Sequence, residues 1–350
     1  MQTFFSPVHA QRNANSELYG GTFVTPFERP ERVDMILAEL ERRGLPSPCA
    51  VMASDLAPIR AVHDPDYVTF METVWDRWTQ TGLPGEAVPS ILPGRCMRTD
   101  VVPRDVEAQL GYYAFATETS ISAGTFQAAV ASANVAVAAC DHVLAGATGA
   151  FALCRPPGHH AARDQFGGYC FFNNAAVAAE HAREQGAERV TILDVDFHHG
   201  NGTQQIFYER PDVQVINLHG DPHQAFPHFL GYADEVGSGP GAGTTLNLPL
   251  PRGTDWPAWH SAFARAAEQI ELFGPDVLIV SLGVDTFEGD PISFFKFTSP
   301  DFTTLGTVIA GLATPTVFCM EGGYAVGEIG VNTVNVLDAF ATATGVIADR

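Results

Sequence analysis

The chain has 350 residues, 46% of them hydrophobic, and no low-complexity tract, which allows a large core. Its net charge is −21, from 19 basic and 40 acidic residues, and that disfavours nucleic acid and anionic membrane as partners. No apolar run approaches the roughly 18–20 residues that span a bilayer, and the start, Met1 to His9, lacks the basic and apolar segments of a secretion signal.

In chain order, Glu31 to Arg43 reads as a helix. Val33, Ile36, Leu37 and Leu40 follow the i, i+3, i+4, i+7 pattern, and Gly44 can end it. Thr79 to Asp105 is rich in Pro and Gly, without periodicity, and reads as a long insertion loop. Gly124 to His142 is Ala-rich and helical. Ala150–Cys154, Val190–Asp196, Val213–Leu218, Val277–Leu282 and Thr316–Met320 are short apolar runs, read as buried strands. Helix patterns fall at Asn174–Gln185, Trp256–Phe273 and Glu328–Thr344. Strands alternating with helices predict an α/β fold, with a mostly parallel sheet covered on both faces. No repeat or boundary divides the chain, so residues 1–350 read as a single domain.

Four of these strands run into polar, Gly-rich segments: Arg155-Pro-Pro-Gly-His-His160, Asp196-Phe-His-His-Gly200, Gly283-Val-Asp285 and Glu321-Gly-Gly-Tyr324. Active sites of open α/β sheets form beyond the carboxyl ends of the strands. Asp194, Asp196 and His198 alternate along the second strand and are expected on one side of it. Such residues at the end of an apolar strand are costly unless a cation sits among them. Asp285 can join Asp196 and His198 as a third ligand, which is the pattern of a catalytic zinc site; ferrous iron suits the same donors. Two carboxylates leave zinc a weak Lewis acid, so further polarisation is needed. The pair His159-His160 can shuttle protons near neutral pH, or can be two turn histidines satisfied by backbone. The Gly167-Gly168-Tyr169 run favours close approach to a ligand. Tyr324 can donate a hydrogen bond to a developing oxyanion.

Together these segments resemble the arginase–deacetylase fold and its histone-deacetylase-like zinc amidohydrolases. The resemblance covers about residues 1–345 and extends to Glu17-Leu-Tyr-Gly-Gly21, Gly220-Asp-Pro222, Ala225–Tyr232 and Gly283–Phe295. Those runs are most similar to bacterial acetylpolyamine amidohydrolases. The resemblance implies zinc on Asp196, His198 and Asp285. It implies His160 as general base and acid, His159 as its electrostatic partner and Asn201 as the residue that orients His160. Asp194 would pair with His159 and, with Asp196, His198 and Asn217, hold a structural potassium ion. Tyr324 would polarise the scissile carbonyl.

Tyr169, Phe226 and Gly168 would line a narrow tunnel. Glu107 and Glu118 would stand near its mouth, where a carboxylate could pair with a distal ammonium. The 79–105 insertion would pack across a homodimer interface. The implied activity is hydrolysis of acetylated polyamines or diamines. A lysine deacetylase acting on peptides is the alternative. A two-manganese ureohydrolase would want Asp where Asn201 stands. Cys49, Cys96, Cys140, Cys154, Cys170 and Cys319 form no Cys-x-x-Cys pair and read as reduced, mostly buried thiols of a cytoplasmic protein.

Overall fold

The computed structural model describes residues 1–345. Its centre is an eight-stranded sheet. The strands are β1 (Gln2–Phe5), β4 (Cys49–Ala50), β5 (Gly149–Ala152), β6 (Val190–Asp194), β7 (Val213–Gly220), β8 (Thr245–Leu250), β9 (Val277–Leu282) and β10 (Thr316–Met320). They lie in the order β4-β1-β5-β10-β9-β6-β7-β8. Every pairing in this sheet is parallel. A small antiparallel hairpin, β2 (Glu17–Tyr19) with β3 (Thr22–Val24), stands apart from it.

The helices are α1 (Glu31–Arg42), α2 (Ala57–Val62), α3 (Pro65–Gln80), α4 (Val106–Tyr112), α5 (Thr125–Leu144), α6 (Asn174–Glu184), α7 (Asn201–Phe207), α8 (Trp256–Phe273), α9 (Ser299–Ala310) and α10 (Ile329–Ala343). Alternation along β10 shows how they cover the sheet. Phe318 packs edge-on against Phe340 of α10 at 5.0 Å. Its neighbour Cys319 points the other way and lies with Cys154 and with Cys140 of α5. With both faces covered, β5, β6, β9 and β10 are buried along their whole length, which is why they read as continuous apolar runs.

Local chemistry sets the element ends. Asn173 caps α6 by accepting from Ala176 N at 2.9 Å, and Gly274, with φ 63°, ends α8. The expected strand to Asp196 stops at Asp194 instead. The Asp194 carboxylate accepts from Asp196 N at 3.1 Å, which turns the chain out of the ladder. Asp196 and His198 therefore sit on a loop beyond β6, and strand alternation is not what brings them together. The strand expected at Ala150–Cys154 is Gly149–Ala152, because Cys154 N turns back to Ala152 O at 2.8 Å. β7 runs two residues further than expected, to Gly220, because β8 pairs with it to the end. The insertion loop begins at Thr81, because α3 continues to Gln80. Among the described residues no helix is long and apolar enough to cross a membrane. All six cysteines are free; Cys49 and Cys96 are exposed and the other four buried.

Candidate active site

The carboxyl ends of β5, β6, β7, β8, β9 and β10 open on one cleft of about 430 Å3. At its floor, ligand atoms of Asp196, His198 and Asp285 lie within 4.8 Å of one another, and all three residues are buried. His198 Nδ1 stands 3.2 Å from Asp196 Oδ1 and 2.9 Å from Asp285 Oδ2. Backbone donors fix the carboxylates. Asp285 Oδ1 accepts from Phe197 N at 2.8 Å, and Asp196 Oδ2 accepts from Gly322 N at 2.7 Å. Burial and then the charge of Asp196 push the Asp285 carboxyl up to about 8. Keeping both carboxylates ionised in this space therefore calls for a cation between them.

The two histidines lie side by side next to this cluster, with ring centroids 4.0 Å apart and the rings tilted by 43°. His159 Nδ1–H donates to Asp194 Oδ2 at 2.9 Å. Burial opposes charge on this ring, but Asp194 and then Asp196 outweigh it and raise its pKa to about 10. His160 Nδ1–H donates to the amide oxygen of Asn201 at 2.7 Å, so the lone pair is on Nε2. Burial, then His159 and His198, hold His160 well below the usual imidazole range. It is a neutral base, oriented by Asn201, whose own amide donates back to His160 O at 3.2 Å. Gly168 leaves room for it. A Cβ there would stand 2.2 Å from His160 Cδ2, and its φ of 57° suits glycine.

Tyr324 lines the same cleft as His160 and His198. Burial raises its phenol well above the ordinary value, so it is a hydrogen-bond donor at neutral pH. Four contacts that the sequence did not disclose hold its loop. Arg32 of α1 donates from Nε to Gly323 O at 2.8 Å and from a terminal nitrogen to Glu321 O. The same guanidinium lies 5.0 Å from the Tyr324 ring centroid. Asp290 Oδ2 accepts from Tyr324 N at 2.7 Å. Glu321 in turn accepts from Gly158 N and His159 N at 2.6 and 3.1 Å, joining the tyrosine loop to the histidine turn. Glu321 and Asp290 stood in recognisable motifs. Arg32 lies at one position of an ordinary helix and carried no signal.

Tyr169 and Phe226 both line the cleft. Tyr169 donates its hydroxyl to Glu17 Oε1 at 3.0 Å and meets Tyr324 edge-on at 5.6 Å. Phe226 meets His160 edge-on at 5.1 Å. Glu118 is at the mouth, with Oε1 accepting from Gly168 N at 2.7 Å. Glu107 is not in the cleft. It opens α4, exposed, and accepts from Ser90 Oγ of the insertion loop at 3.0 Å. Asn217 lies beside Asp194 in the β6–β7 register. His199 is not part of the three-ligand cluster and lies against His219 at 4.7 Å.

The model of the histone deacetylase domain matches residues 26–340. The chain is 53% identical to the acetylpolyamine amidohydrolase of Mycoplana ramosa over 97% of its own length and all of that protein's. It is 49% identical to acetylpolyamine amidohydrolase 2 of Pseudomonas aeruginosa, over 97% of this chain and 98% of that one. The crystal structure of an acetylpolyamine aminohydrolase from Burkholderia pseudomallei superposes with a TM-score of 0.92 at 37% identity, covering 98% and 99% of the two chains. With that fold, those motifs and that span, the chain belongs to the histone deacetylase domain family.

Proposed function

We propose that this protein hydrolyses the acetyl amide of acetylated polyamines and diamines, releasing acetate and the free amine. The observation that carries the reading is the meeting of a neutral, Asn201-oriented His160 and a protonated Tyr324 at one buried three-ligand cluster. The names of the Mycoplana and Pseudomonas relatives supply the substrate class. Asp196, His198 and Asp285 suit zinc, with ferrous iron an equal fit to two carboxylates and one imidazole. Bound there, the metal would polarise the acetyl carbonyl and make water more acidic.

His160 Nε2 takes the proton of the attacking water, and the resulting imidazolium returns it to the departing amine. Tyr324 donates its hydroxyl hydrogen to the carbonyl oxygen as negative charge develops. Burial, and then the positive charge that His159 keeps beside Asp194, hold His160 neutral until it accepts. Tyr169, Phe226 and Gly168 grip the methylene chain, and Glu118 receives a distal ammonium.

A potassium ion fits beside Asp194, Asp196 and His198. Asn217 Oδ1 is buried there without a hydrogen-bond partner, and Gly200 keeps the space open. A Cβ at Gly200 would stand 2.3 Å from Asp194 Oδ2 and 3.1 Å from Asn217 Oδ1. Exposed Leu83, Ile91, Met97, Val101 and Val102 on the insertion loop suit a homodimer interface, which would bury them. The free cysteines suit the cytoplasm.

The test compares rates of the zinc-loaded protein on acetylputrescine, acetylspermidine and an acetyl-lysine peptide. The acetylated amines should be faster. A faster peptide would make this a lysine deacetylase.

A further inference from the structure

Above the floor carboxylates and the histidines, two charged side chains line the cleft, Glu118 and Arg252. Arg252 follows the carboxyl end of β8, in a turn closed by Thr254 N donating to Pro251 O at 3.2 Å. The next residue, Gly253, donates its N–H to Phe294 O at 3.1 Å and ties this turn to the Phe294 segment. The guanidinium lies 4.3 Å from the Phe294 ring centroid. Phe294 in turn packs edge-on at 4.6 Å against Phe197, the residue between Asp196 and His198. Backbone and ring contacts thus hold the arginine beside the site. Among the described residues it pairs with no carboxylate, in a chain whose net charge is −21. Glu118 stands on a different segment, beside Gly168. The general field draws polycations in, and Arg252 opposes that field locally.

We propose that Arg252 limits the number of positive charges a substrate can bring into the mouth. It would favour acetylated diamines, with one ammonium, over longer acetylated polyamines with two or three. The inference rests on the acetylated-amine reading above and deepens it. One ammonium can pair with Glu118 and leave the guanidinium in water. A second must share the mouth of a cleft of about 430 Å3. Within a Debye length, roughly 8–10 Å, of the guanidinium, such a second charge is only partly screened. Repulsion at such a partly hydrated rim amounts to about two- to fivefold in affinity.

The experiment measures kcat/KM on acetylputrescine and N1-acetylspermine for the zinc-loaded wild type, R252Q and R252K, at low and raised salt. R252Q should raise the acetylspermine-to-acetylputrescine ratio about two- to fivefold, through KM, and salt near ~0.3 M should erase most of the gain. R252K should keep the wild-type ratio. An unchanged ratio in R252Q, or the same shift in R252K, overturns the proposal. Calorimetric binding of free putrescine and spermine to the same proteins reads the same ratio without turnover. Wild type inactive on both acetylated amines would remove the hydrolase reading, while a selective gain in spermine binding by R252Q would still uphold the role of Arg252.

Discussion

The floor and the mouth of the cleft are built by different rules. On the floor, His159, His160, Asp196, His198 and Asp285 are all buried. Each carboxylate there has a backbone donor, and each histidine of the pair has one side-chain acceptor at its Nδ1. At the mouth, Leu18 and Tyr19 are exposed and Arg252 has one ring contact, and Phe23, paired with Leu18 in the same hairpin, is 73% exposed. A floor with redundant hydrogen bonds fixes reacting atoms to a few tenths of an ångström, which proton transfer needs. A loosely tied mouth contributes only screened charge and apolar contact, so selectivity there comes in small steps.

The largest effect should come from breaking the floor. His160→Ala should lower kcat on acetylputrescine about 10²- to 10⁴-fold, and Tyr324→Phe about 10²- to 10³-fold. Steady-state rates on zinc-loaded protein read this, and a loss under tenfold for either would sink its role.

Next in size is a pH effect on folding near the floor. His63 donates from Nδ1 toward Arg163 O at 3.3 Å and accepts at Nε2 from Asn173 N at 2.9 Å, under the α6 cap. Burial lowers its pKa to about 4, and burial does the same to His219. A neutral buried histidine binds fewer protons folded than unfolded. The stability it confers is complete above about pH 6.5 and is lost as pH falls toward 4. At pH 5 the loss should be roughly 2 kcal/mol for each. Urea midpoints at pH 7.5 and pH 5 check it; equal midpoints would contradict it.

Smaller still, Glu118→Gln keeps the acceptor for Gly168 N and removes the charge. KM for acetylputrescine should rise about two- to fivefold with kcat nearly unchanged. A kcat loss above tenfold would move Glu118 from the mouth to the machinery. The smallest effect belongs to Phe23→Ala. An exposed ring on the hairpin should shift stability by no more than about 0.5 kcal/mol. Thermal unfolding that moved by more than several degrees would show that the hairpin is buried in an assembly.

The same division explains what could be read in the sequence. Floor residues cluster in short runs at strand ends, so Asp196, His198, Asp285, the histidine pair and Tyr324 were legible from local pattern. Asp194 was legible as a ligand-type residue, but its hydrogen bond to Asp196 N, which ends the strand early, was not. Arg32 was hidden because its partners are about 290 residues away in the chain. Glu107 carried no local signal for its place, because how the insertion loop folds against α4 sets where it stands, and composition does not encode that. The long α3 was missed although Tyr67, Met71, Val74 and Trp78 carry the helical period; its apolar positions sit among Thr and Asp residues that blur the stripe. Strand β1 is four residues long, too short to stand out from the N-terminus around it.

The Arg32–Gly323 hydrogen bond spans 291 positions. Synthesis delivers the guanidinium near the beginning and its carbonyl partner near the end. Asp196, His198, Asp285 and both histidines leave the ribosome before Tyr324 does. The last strand, β10, lies between β5 and β9, so the histidine turn and the three-ligand loops meet only when it docks, and the phenol is seated beside the first helix in the same step. A fragment starting after α1 would keep every reacting group and still lose the clamp that aims the phenol.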